Sequence, residues 1–112
     1  MHTNGRGYRD PGEGSRRMKE ASLVRWMRKR LEAFGFWTLK FHGSPFSMAG
    51  IPDLLAIRNG RAWWLEAKVP GKEPTKIQHY MLRTLARFGC DVSVVHTREE
   101  FDLEIARVCH RD

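Results

Sequence analysis

Residues 53–68 read DLLAIRNGRAWWLEAK, and the Asn59-Gly60 pair at their centre decides how the chain folds. Asn-Gly between two apolar runs is the strongest short-range signal for a two-residue hairpin loop, since both positions of that turn need positive φ. With Asn59 and Gly60 as the loop, Arg58 faces Arg61, Leu55 faces Trp64 and Asp53 faces Glu66. Side chains alternate along a strand, so Asp53 and Glu66 become cross-strand neighbours on one face, with Cβ atoms about 4.5–5.5 Å apart. Lys68, two residues beyond Glu66, points to the same face. A longer loop or a bulge would shift this register.

Two carboxylates held so close need a shared proton, a basic neighbour or a divalent cation. Their neighbours Leu54, Leu55, Ile57, Trp63, Trp64 and Leu65 are apolar, which makes an unpaired charge more costly still. Oxygen ligands with no His or Cys in the motif suit Mg²⁺ or Mn²⁺ better than Zn²⁺. The competing reading is an ordinary ion-pair cluster of Asp53, Glu66 and Lys68 on a sheet face.

Working upstream, Ser15 to Phe34 follows a helical period, with Val24, Met27, Leu31 and Phe34 on one face and Gly35 as the stop. Glu20 falls inside that apolar stripe. A carboxylate there either favours the helix N-terminus or approaches Asp53 and Glu66 as a further ligand. Phe36 to Phe41 reads as a strand, and His42 to Pro52, with Gly43, Pro45 and Gly50, reads as a loop. Downstream, Lys76 to Phe88 is a helix with Ile77, Met81, Leu85 and Phe88 at helical spacing, and Val92 to His96 is a short strand. Thr75 and Gln78 form a capping box, a role that needs no catalysis, although Gln78 also stands beside the loop after Lys68. Thr97 and Glu100 cap a last helix whose inner face is Phe101, Ile105 and Val108. The order αβββαβα describes an α/β chain with a small mixed sheet flanked by helices.

The 112 residues suit one domain at 15–112, preceded by a flexible, Gly-rich arm at 1–14 that carries Arg6 and Arg9. No apolar run is long enough to span a membrane. Cys90 and Cys109 are too far apart for a CxxC pair and fit a reducing cytoplasm as buried thiols. Net charge is +7, and residues 20–96 hold twelve Lys and Arg against six acids. Such a field favours a polyanion. Lys40, His42, Ser44, Lys72 and Lys76 lie in or beside the loops around the motif, where each is a candidate phosphate contact.

The run Gly50-Ile51-Pro52-Asp53-Leu54, then Leu65-Glu66-Ala67-Lys68, then Gln78, resembles the virus-type replication-repair nuclease (VRR-NUC) family of the PD-(D/E)xK nuclease superfamily. Glu20 stands in the first helix where that family carries its glutamate. The resemblance covers about residues 18–97 and implies the αβββαβ nuclease core. It further implies that Asp53, Glu66, the Ala67 carbonyl and Glu20 hold Mg²⁺ or Mn²⁺, while Lys68 orients or deprotonates the attacking water and Gln78 completes the site. The chain looks like the stand-alone phage or bacterial form, which resembles Holliday junction resolvases and tends to dimerise. The expectation is therefore a metal-dependent endonuclease for branched or junction DNA, with exposed Trp37, Phe46 or Met48 at a homodimer interface. The rivals are a non-catalytic nucleic-acid-binding module, a nuclease without junction selectivity and a sequence-reading restriction enzyme, for which little chain remains.

Overall fold

A computed structural model describes residues 12–45 and 48–110. The expected arm at 1–14 lies almost wholly outside the described residues, as does Phe46; Glu13 and Gly14 open the first helix two residues earlier than its apolar period indicates. The elements are α1 (Glu13–Ala33), β1 (Trp37–Lys40), β2 (Leu54–Arg58), β3 (Arg61–Ala67), α2 (Lys76–Arg87), β4 (Asp91–Val95) and α3 (Arg98–His110). This is the order read from the sequence, with ends moved by one or two residues.

The sheet runs β1-β2-β3-β4. Asn59 and Gly60 have φ of +54° and +75°, the two positive values that a tight hairpin demands. The ladder follows: Arg58 pairs with Arg61, Leu55 with Trp64 and Leu54 with Leu65. β1 adds antiparallel to β2, and β4 lies parallel to β3, a geometry that requires the crossover supplied by α2.

Alternation along the strands sorts the residues into two faces. Thr38, Leu54, Ala56, Trp63, Leu65 and Val95 are buried on the face covered by α1 and α3. Val24, Met27 and Leu31 of α1 and Phe101, Ile105 and Val108 of α3 complete that core. Each such side chain contributes roughly 1.5–3 kcal/mol on full burial. Trp63 is the centre, stacked on Phe101 and edge-on to Phe36, and its indole N–H donates to Ser93 Oγ at 2.9 Å.

The other face is only partly covered. α2 packs on β4, and among the described residues no helix covers that face of β1 to β3. The stripe at Ile77, Met81, Leu85 and Phe88 is correspondingly open: Ile77 and Phe88 are exposed, and Leu82 is the buried residue of α2. Phe34, expected on the inner face of α1, instead closes that helix at its C-cap and is exposed. Both cysteines are free and half-buried. Among the described residues, no helix is long and apolar enough to cross a membrane.

Candidate active site

Asp53 lies one residue ahead of β2, just beyond the last ladder pair. Its carbonyl accepts from the Phe41 and His42 amides at 2.7 and 3.1 Å, which ties the incoming loop to the sheet edge. Its carboxylate is held on both sides: Oδ2 accepts from the Ala67 amide at 2.8 Å, and Oδ1 lies 3.2 Å from His42 Nδ1. The hairpin thus brings Asp53 to the end of β3 as the register implies, and the Ala67 amide fixes it there. His42, a candidate phosphate contact from its position, instead has its ring against the Asp53 carboxylate. That hydrogen bond raises the His42 pKa above 6.5; burial and Lys40 oppose the rise, while the charges of Asp53 and Glu20 add to it.

Glu66 is buried in β3, 2% exposed. Its Oε2 is 3.6 Å from Lys68 Nζ, and its Oε1 has no hydrogen-bond partner. Burial and the neighbouring Asp53 charge push its pKa up to about 8, with Glu20 adding to the rise and Lys68 opposing it. An orphaned carboxylate oxygen in a buried position is rare in folded proteins and calls for a ligand, a proton or an ion.

Glu20 reaches the same centre from α1. Its Oε2 accepts from the Val69 amide at 3.4 Å, and its charge acts on both His42 and Glu66. Asp53, Glu66, Lys68 and Glu20, drawn from three parts of the chain, are therefore gathered at one end of the sheet. Among the described residues, no three His, Cys, Asp or Glu side chains form a ready cage for a metal ion.

Gln78 performs the capping role. Its Oε1 accepts from the Thr75 amide at 2.8 Å and its amide donates to Thr75 Oγ1 at 3.3 Å, which leaves its side-chain N–H groups outside that pairing. The start of α2 is held close to the loop leading into Asp53: a Cβ on Gly50, at φ +83°, would meet the Ile77 carbonyl oxygen at 2.9 Å. Lys40, Lys72 and Lys76 are exposed around the site, and Ser44 is half-buried in the loop after His42.

One residue escaped the sequence reading. His96, following β4, has Nδ1 2.9 Å from Glu100 Oε1 and Nε2 2.9 Å from the Lys72 carbonyl, with Glu73 at 3.3 Å. It closes a cavity of about 250 Å³ that Lys19, Glu20, Lys68 and Arg98 also line. Glu100 is accordingly drawn back: Thr97 Oγ1 accepts from its amide as expected, but its carboxylate takes the His96 amide at 2.8 Å.

No family model and no curated protein matches the chain. Among solved structures, one described as a VRR_NUC domain is similar to it, with a TM-score of 0.66 and 27% identity over 79% of this chain and 95% of that one.

Proposed function

We propose that this chain, which belongs to the VRR-NUC nuclease family, is a divalent-metal-dependent DNA endonuclease acting through Asp53, Glu66, Lys68 and Glu20. The observation that carries the reading is Glu66: a buried carboxylate with an unpartnered oxygen, beside two further acids, is stable as an anion only with a cation near it. An ordinary ion-pair cluster explains the site less well, because Lys68 touches Oε2 and leaves Oε1 unanswered.

Asp53, Glu66, the Ala67 carbonyl and Glu20 are the groups that would hold Mg²⁺ or Mn²⁺, a hard-oxygen set suited to those ions. The ion would neutralise charge on the scissile phosphate and lower the pKa of a water. The protein's own contribution is placement. Ala67 N–H and His42 fix the Asp53 carboxylate. Lys68 Nζ orients the attacking water and meets charge developing on the phosphoryl oxygens. Water attacks phosphorus in line, the bond to the 3′ oxygen breaks, and that oxygen takes up a proton, leaving 5′-phosphate and 3′-hydroxyl ends. Gln78 N–H groups, Ser44, Lys40, Lys72 and Lys76 bind the strand around the cut.

We assign branched or junction DNA as the substrate and a homodimer as the working form, in the cytoplasm of a bacterial or phage-infected cell. The exposed apolar Trp37 and Leu39 on the sheet face that lacks a helix support the dimer. Paired incisions need two sites in a fixed relation, which a twofold dimer supplies.

The test is cleavage of a four-way junction, a flap and linear single- and double-stranded DNA with Mg²⁺, Mn²⁺ or EDTA. Wild type is expected to cut the branched substrates in either metal and nothing in EDTA, while Asp53→Ala and Lys68→Ala are inactive. Cutting that persists in EDTA, or in both variants, overturns the mechanism. Equal cutting of all duplexes removes the junction preference alone, and binding without cutting favours the non-catalytic module.

A further inference from the structure

The cations of α1 are not all used alike. Arg17 and Arg30 are paired with Glu13 and Asp102, at 3.6 and 2.9 Å. Arg25 and Lys29 have no carboxylate partner among the described residues, and neither has Lys40 at the end of β1. With Arg28 and Glu32 these three line a groove of about 420 Å³ between α1 and the edge strand β1. Four cations thus face one carboxylate, and that carboxylate is engaged: Glu32 Oε2 accepts from Thr38 Oγ1 at 2.8 Å and lies 3.4 Å from Arg28 Nε. Arg28 is aimed by its own bond to Thr38 Oγ1 at 2.9 Å. Like charges three and four residues apart destabilise a helix, so a concave row of them with so little internal counter-charge suits an external polyanion.

The groove and the candidate active site meet the same end of β1 and β2. Lys40 pairs with Leu54, the residue next to Asp53. Arg25 is five residues beyond Glu20 on α1, about 7–8 Å along the helix axis. From Arg25 to Glu32 the helix advances about 10 Å, the length of roughly three nucleotides of one strand. Among the described residues the groove is lined by four long cationic side chains and Glu32, with no aromatic ring, so it offers phosphate contacts without a stacking platform for bases.

We infer that the groove between α1 and β1 binds the sugar-phosphate backbone flanking the cut on one side, over about three nucleotides and without reading sequence. The identity of that strand rests on the nuclease reading; the groove itself is argued from charge and shape.

The experiment measures binding of a fluorescent duplex in EDTA across a salt series, so that no cleavage is needed. Arg25→Glu/Lys29→Glu is compared with Arg83→Glu/Arg87→Glu, the same charge change on exposed positions of α2. Circular dichroism confirms that each variant is folded. The groove variant is expected to weaken binding at least tenfold and to lower the salt slope by about two, one for each phosphate that no longer meets a cation. The α2 variant is expected to retain most of the slope, and two unrelated duplexes are expected to respond alike. An unchanged slope in the groove variant, or an equal loss in both variants, overturns the groove. If the groove variant loses binding and the wild type never cuts, the nuclease reading fails and the groove stands. If wild type cuts and the groove variant binds and cuts unchanged, the reverse holds.

Discussion

Glu66 is the residue whose chemistry can be tested without substrate. Its folded pKa of about 8 stands above the ordinary 4.5 because of burial, Asp53 and Glu20. Between those values the folded state keeps a proton that the unfolded state has released. Metal-free stability from this group is therefore full below pH about 4.5 and is lost as pH rises through about 8. Wild type without metal is expected to show a falling Tm between about pH 5 and 8.5, and Glu66→Gln to flatten that fall. Mn²⁺ is expected to raise the Tm of wild type at about pH 8, and the same variant to abolish that rise. A wild-type Tm that Mn²⁺ leaves unmoved would remove the metal from the centre. At this scale the sequence is highly legible: a two-residue turn fixes register, and register sets Asp53, Glu66 and Lys68 together. What it cannot supply is the hydrogen bond from Ala67 N–H to Asp53, which forms one step beyond the ladder where alternation no longer dictates geometry.

The elements around the site are held by contacts that periodicity does not encode. Residues 69–75, between β3 and α2, are anchored at Val69 by Glu20 and at Lys72 by His96. His96 places both ring nitrogens against acceptors, an arrangement that only the doubly protonated ring satisfies with two N–H donors. Burial opposes that charge, but Glu100, the Lys72 carbonyl and Glu73 outweigh it and raise the pKa. The stabilisation is full below about pH 6.5 and is lost as pH rises through the raised value. His96→Ala is expected to cost about 1 kcal/mol and to speed amide exchange in residues 69–75 and in the first turn of α3. Unchanged exchange there, by mass spectrometry, would show that the ring is not a clamp. The i,i+4 spacing of His96 and Glu100 stands in the sequence, but the Lys72 carbonyl that completes the clamp is 24 residues away and follows no spacing rule. The α2 stripe follows the same logic. Periodicity identified its apolar residues, but whether anything covers them depends on how far the helix reaches across the sheet.

At the scale of the molecule, the two sheet faces have unequal fates. Among the described residues, α1 and α3 seal one, and α2 covers the β4 end of the other. Trp37 and Leu39 stand on that open face, 58% and 41% exposed, beside half-buried Leu55, Ile57 and Trp64. β1 is also an edge strand of four residues, so among the described residues neither its open face nor its outer edge has a partner strand or helix. Contiguous apolar surface of this kind marks an interaction site, and a contact with phosphates makes little use of apolar surface. The pairing Trp37↔Ile57 lies at the end of the ladder remote from Lys40↔Leu54 and Asp53, so a second copy seated around Trp37 leaves the Asp53 end of the sheet accessible. Light scattering on wild type at micromolar concentration is expected to give twice the chain mass, and Trp37→Glu to give the chain mass with an unchanged circular dichroism spectrum. The monomeric variant should still nick a linear or flap substrate, because Asp53, Glu66 and Lys68 come from one chain. On a four-way junction it should yield single, uncoordinated nicks where wild type yields paired ones. A wild type that is monomeric and yet makes paired incisions would show that coordination needs no second copy.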